Sequence, residues 1–454
     1  LEEWRHELID RGIETALRGE LADTRRISEK ALAAGAPRPY VLLLQGLAHL
    51  FHGDSSRAHQ LLNEAHELDP NNLGVMSVYL MTMTGGDMDQ DKWQQLMQKV
   101  NTLEVEGEYR DYDSLFKAWT FFYSDSEFSV DVLTQLLEKK KNWPNAIAIL
   151  SAAQSHRAIE SGDSDLSDQA LVNVNAAEAV IGNNPFLSVV RLWRHCVAIQ
   201  LAREDNLPID EICAEADRIA DELAQHEFAW QAPLVRTFYY QLIDDEELER
   251  RAWRNAIGGG TGLARRIPFL IRAGEDEAAL QLLDEDIQKR SMTAIAKACF
   301  IAWLGEQQSA LDAYENIVGS NGSLTGKTTA LQVLLVLGDL SRARTESQQL
   351  LRVLDGYDSR WWINEPILKY IANPDELEAG GELLSEVGSS RPQLCRAHYF
   401  IGLRALGQSD VDRAKEHFAK SMESGQFYRL EYCMSRAFLE RIDARINSVQ
   451  TEAR

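Results

Sequence analysis

The stretch YVLLLQGLAHLFHGDSSRAHQLLNEAHELDP, residues 40–70, reads as a helix, a Gly53-Asp54 turn and a second helix that stops at Pro70. Gly46 and Ala58 stand where two packed helices touch, and their small side chains let the backbones approach. Proline ends the second helix because it lacks an N–H and its ring clashes with the preceding turn. Variants of this hairpin recur. Gly19, Gly53 and Gly86 are spaced 34 and 33 residues apart, and Gly274, Gly305 and Gly338 are spaced 31 and 33 apart. Each glycine suits a left-handed helix ending, and the acidic or polar residue after it suits a cap for the next helix. Small residues follow the turns as Ala58, Ala279, Ala310 and Ala343, and a last unit repeats the rule with Gly402, Ala414 and Phe418 beside Ile401. Thr24 and Gln308-Ser309 depart from it.

Gly46, Ala58, Ala65 and Pro70, with Leu42 and Leu62, fall on signature positions of a tetratricopeptide (TPR) unit. The fold class expected is all-α, an α-α superhelix built as a TPR-like solenoid of stacked helical hairpins. Apolar residues recurring every three or four positions, as in Leu331, Leu334, Leu335 and Leu337, agree with it. The chain of 454 residues is too long for one compact core, while 45% hydrophobic and 26% charged residues suit a folded chain. Residues 1–100 carry the clearest repeats, and residues 101–257 are helical but out of register, with one unit turning at Gly162-Asp163 and stopping at Pro185. Gly258 to Gly262 form a glycine-rich joint, repeats resume over 263–447, and 448–454 is a flexible tail.

Charge and cysteine content narrow the partners. A formal charge of −23 opposes nucleic acid, whose phosphates demand a basic track, and favours a basic protein or peptide ligand. The clusters Asp244 to Glu247 and Asp284-Glu285-Asp286 read as solvated helix faces. No apolar run is long enough to enter a bilayer as a spanning helix, and Glu2, Glu3 and Arg5 interrupt any leader-like segment. The five cysteines show no metal-like spacing and read as buried thiols in a reducing, cytoplasmic compartment.

Three local features imitate chemistry. Gly326-Lys327-Thr328 ends like a phosphate loop, but Asn321 replaces the first required glycine and a helix rather than a strand precedes it. His49, His52, His59 and His66 crowd one hairpin, yet zinc needs three or four converging ligands, so His49 reads as core and the others as surface. Arg265 and Arg266, following the Gly258 to Gly262 loop, form a candidate anion site. No cofactor and no metal is expected. The scattered tryptophans and Trp361-Trp362 read as fillers between helices.

Trp4, Gly12, Ala16, Gly19, Gly35-Ala36 and the Leu44-Gln45-Gly46 to Gly53-Asp54 unit resemble the TPR-containing C-terminal regions of bacterial multidomain serine/threonine protein kinases. Gly402 to Phe418, with Glu431-Tyr432 and Ala437 to Arg441, resembles their closing repeat. The resemblance implies partner recruitment or regulation of an attached kinase. The chain holds no kinase glycine loop before a strand, no His-Arg-Asp and no Asp-Phe-Gly, so it cannot transfer phosphate by that route. Leu rather than Met at position 1 suggests a piece of something longer.

The function expected is a noncatalytic interaction scaffold whose concave face is lined by the first helix of each pair. Spacing assigns Tyr40, Leu43, Leu47 and Phe51 to that face in the second unit, and Arg396, Tyr399 and Leu403 in the last. A peptide would dock there through aromatic and Arg anchors. The clamp that TPR domains use for a terminal carboxylate needs Lys, Asn and Arg, and Leu44 and Leu47 occupy its places. The competing expectation is an all-helical toroid enzyme with two carboxyl groups about 5 to 10 Å apart in a cleft.

Overall fold

The computed structural model describes every residue except 1, 53, 84–89, 105–106, 123–124, 183, 226–231, 256–267, 280–290, 320–323, 355–364, 374 and 453–454. Among the described residues the regular structure is helix, with no strand. The chain divides into two compact units, Leu1–Gly258 and Gly259–Arg454. The Gly258 to Gly262 run, apart from its place at this division, lies outside the described residues, as do Gly53, Gly86, Trp361-Trp362 and the acidic cluster at 284–286.

Among the described residues the first unit shows seven helical pairs: α1 (Glu2–Leu17) with α2 (Leu21–Ala33), α3 (Arg38–Phe51) with α4 (Ser55–Leu68), α5 (Leu73–Thr82) with α6 (Gln90–Thr102), and α7 (Arg110–Phe121) with α8 (Ser126–Lys139). Then follow α9 (Pro144–Ser161) with α10 (Ser164–Ile181), α11 (Pro185–Glu204) with α12 (Asp210–Ala224), and α13 (Ala232–Leu242) with α14 (Glu246–Asn255). Odd-numbered helices touch one another in succession and make an inner layer, while the even-numbered ones cover it.

Local chemistry sets the hairpins. Gly162 closes α9 at φ +76°, a left-handed conformation that costs glycine least. The aspartates expected at the next helix start do cap it: Asp54 accepts from the Arg57 N–H, Asp163 from the Asp165 and Leu166 N–H groups, and Asp339 from the Arg342 N–H. Glu20 makes no such side-chain cap. The small residues work as read from the sequence. A Cβ on Gly46 would lie 2.8 Å from Leu62 Cγ, and one on Gly402 would lie 2.7 Å from Phe418 Cε1.

One hydrophobic core runs through the first unit from Ile9 to Val190, crossing residue 100 without interruption. The inner layer also packs across its own axis. The ring of Phe51 in α3 lies 5.6 Å from that of Trp119 in α7 and 5.7 Å from that of Phe186 in α11, and Trp119 and Phe186 are 5.8 Å apart. These rings come from helices two and four hairpins apart, which an open groove would hold separate. The first hairpin is tied to later ones as well. The Tyr112 hydroxyl donates to the His6 carbonyl at 3.0 Å, Lys140 pairs with Asp10 at 2.6 Å, and Arg18 donates to the Ile181 carbonyl at 2.8 Å.

The described helices of the second unit are Ser291–Leu304, Gln307–Gly319, Leu324–Leu337, Leu340–Leu354, Glu365–Ala372, Glu376–Val387, Arg391–Gly407, Val411–Glu423 and Leu430–Glu452, and Leu324–Leu337 packs both on Ser291–Leu304 and directly on Arg391–Gly407. The unit's ends meet too. The last helix returns to the beginning of the unit, where Phe438 packs on Trp303 at 6.0 Å and Arg441 pairs with Asp276 at 2.7 Å. Near its middle, Gly338 and Gly407 bring two helix ends into backbone contact.

Candidate partner-binding surface

Helices α3 and α5 bury residues on all sides, which is the pattern of a helix surrounded by protein rather than lining solvent. In α3, Tyr40, Leu43, Leu47 and Phe51 are 2%, 0%, 0% and 5% exposed, and in the Arg391–Gly407 helix Tyr399 and Leu403 are 1% and 0% exposed. These six side chains therefore join helix to helix here instead of facing an open groove. The signal that separates the two cases was present but double-edged: the same aromatic that anchors a peptide in a wide superhelix fills the axis of a narrow one. Arg396 keeps partial exposure, and its guanidinium donates to Glu431 at 2.9 Å. Burial raises the Glu431 carboxyl, but Arg396 and Arg429 outweigh it and hold the group below its usual range. Arg265 and Arg266 lie outside the described residues.

Asp113, Arg194 and Arg404 are buried polar groups of the inner layer committed to neighbours. Asp113 in α7 accepts from the Tyr40 hydroxyl and, at 3.0 Å, from the Gly74 N–H, so one carboxylate joins α3, α5 and α7. Burial pushes its carboxyl up to about 6, against the opposing effect of those two donors. Between its ordinary value of 3.8 and about 6, the folded chain holds a proton that the unfolded chain has released. The contribution of Asp113 to stability thus falls as pH rises through that window, by about 3 kcal/mol in full. Asp113→Asn retains the acceptor without the charge. It is expected to unfold at higher urea than the parent at pH 7 and at matching urea near pH 4; equal midpoints at both pH values would contradict the buried charge. Two buried guanidinium groups are likewise engaged: Arg194 donates to the Ser167 carbonyl and Asp168, and Arg404 donates to the Tyr370 and Asn373 carbonyls at the end of the Glu365–Ala372 helix.

The crowded histidines separate. His49 lies 3.4 Å from Asp54, whereas His59 and His66 are half-buried on either side of Tyr79, with ring centroids 5.0 and 5.8 Å from it. The expectation that His59 and His66 sit on the surface is corrected by this packing, because Tyr79 from the next hairpin fills the space beside them. Among the described residues no group of three or more His, Cys, Asp or Glu side chains could hold a metal ion. Four of the five free cysteines are buried and Cys213 is partly exposed. Thr328, from the phosphate-loop imitation, is 1% exposed inside the Leu324–Leu337 helix.

What the chain offers outward is its covering layer. Helix α12 carries Asp210, Glu211, Glu215, Asp217, Asp221 and Glu222 against one base, Arg218. Arg218 engages Glu215 at 2.6 Å and Glu222 at 3.7 Å, and Asp217 accepts from the Tyr239 hydroxyl. Asp210, Glu211 and Asp221 are exposed. Asp244, Glu246 and Glu247 add further exposed carboxylates at the start of α14. No helix among the described residues is long and apolar enough to cross a membrane.

No family model matches the sequence, and no curated protein matches it. Solved structures do align along most of the chain at low identity. Yeast Tom70 is 12% identical over 98% of this chain and 97% of its own, with a TM-score of 0.33. A human IFIT1 dimer with m7Gppp-AAAA is 11% identical over 92% and 94%, with a TM-score of 0.37. Cut9 with Hcn1, from the APC/C, is 12% identical over 97% and 95%, with a TM-score of 0.28. The stacked-hairpin architecture rests on the helix pairs and contacts described above, and these scores add no weight to it.

Proposed function

We propose that the chain is a noncatalytic scaffold that holds a basic protein or peptide partner on its outer helices. The observation that carries this reading is the division of labour between layers: the inner helices are spent on closing each unit, and the covering helices present exposed carboxylates. A surface of this kind steers a cationic partner and sets its orientation more than it supplies raw affinity. The finer reading, which follows the resemblance of individual residues, is a regulatory or partner-binding region of a bacterial signalling protein that works beside a serine/threonine kinase.

Binding of a lysine- and arginine-rich peptide, measured by fluorescence anisotropy, is expected to exceed that of a glutamate-rich peptide of equal length and to weaken as salt rises. Reversing Asp210, Glu211 and Asp221 to lysine is expected to weaken it by about tenfold at low salt. Unchanged binding by the reversed variant would remove α12 from the surface. Equal binding of both peptides would end the charge-based reading.

A further inference from the structure

His398 and His417 face each other across the final antiparallel hairpin, one from the Arg391–Gly407 helix and the other from Val411–Glu423. Their Nδ1 atoms are 2.9 Å apart and their ring centroids 5.1 Å apart. The geometry points to a two-imidazole clip for a borderline divalent transition ion of the Zn2+, Ni2+ or Cu2+ class, bridging the two helices through both Nδ1 atoms.

At this separation one Nδ1 carries a proton and donates it to the other. Two nitrogens bound to one tetrahedral zinc at 2.0–2.1 Å stand about 3.3 Å apart, so the ion enters after the rings part by about 0.4 Å and turn until both Nδ1 lone pairs converge on it. The donor ring then carries its proton on Nε2 instead of Nδ1. Both imidazoles stay neutral, and no net proton is released. Two protein ligands are fewer than the three or four of a complete zinc site, so water or a donor supplied by a partner completes the shell and the chain alone holds the ion weakly. His, Cys, Asp and Glu side chains add no third ligand among the described residues. The charged neighbours are Glu416, Lys420 and Arg413, all on the second helix, and Lys420 pairs with Glu416. Burial, reinforced by Lys420 at His398 and by the facing His398 at His417, lowers both rings to about 4. The other histidine partnerships differ: His59 and His66 pack on Tyr79, and His6 lies near Glu108.

The test uses the full chain stripped with EDTA and titrated with ZnCl2 or NiCl2, reading bound metal by equilibrium dialysis and Tm by circular dichroism. Expected are one bound ion per chain that raises Tm with metal concentration, loss of that ion in His398→Ala and in His417→Ala, and no further loss in the double variant. Folding of each variant is checked by its metal-free melting curve, and His417→Gln, which keeps a polar group facing His398, replaces any variant that fails it. Absence of a bound ion in the parent, or parental metal binding in the folded variants, overturns the site and leaves a hydrogen-bonded imidazole pair.

Discussion

Gly407→Ala is expected to destabilise the C-terminal unit by at least about 3 kcal/mol, seen as a lower urea midpoint for that unit. The added methyl group would lie 1.8 Å from the Leu335 carbonyl oxygen and would also press on the Gly338 backbone at 3.0 Å. Its neighbours are main chain, so relief cannot come from turning a flexible side chain. Two helix ends must separate, and with them the seam between Leu324–Leu337 and Arg391–Gly407. That seam also holds the Tyr399 hydroxyl, which donates to Gln332 at 3.0 Å. Gly338→Ala reaches the same seam from the other side, 2.5 Å from the Gly407 carbonyl oxygen and at φ +74°. Gly381→Ala is the internal control. It lies in the Glu376–Val387 helix with open space around its would-be Cβ, and there alanine is expected to add about 0.5–1 kcal/mol by its helix propensity. If Gly407→Ala and Gly381→Ala melt alike, the close approach of the two helices is not real.

Trp119→Ala is expected to cost the N-terminal unit about 3–5 kcal/mol. Trp119 is 2% exposed and touches Phe51 and Phe186 at the axis, with Phe116 stacked 6.5 Å away on its own helix. Removing the indole leaves a cavity that three helices far apart in sequence must collapse to fill, and close packing elsewhere resists that collapse. Trp119→Phe keeps an aromatic partner for the other two rings and is expected to lose less than half as much. The comparison separates an axis that is packed from one that is open. In an open superhelix the side chain would stand in solvent, and truncation would change stability by less than about 0.5 kcal/mol.

Hairpin structure was legible because each of its causes is local. A glycine reaching positive φ, an aspartate meeting the next N–H groups and a small residue under a neighbouring side chain all act within a few tens of residues. Gly162, Asp163 and the Gly46–Leu62 contact behave as their types and spacing imply. Several groups escaped that reading for the same physical reason. The contact of His398 with His417 depends on the rotation of two helices about their axes, and the joining of α3, α5 and α7 by Asp113 depends on which inner helices are neighbours. Neither quantity is encoded in a short motif.

By itself the order of residues determined that this protein is built of helical pairs, where they turn, and that its surface is strongly acidic. Only the tertiary structure decided that the inner helices meet across each unit's interior. Phe51 and Phe186 are separated by 135 positions, and the small rotation from each hairpin to the next, summed over four hairpins, brings them together. Such a sum is set by the packing of every intervening interface, so it turned residues suited to a groove into residues of a core.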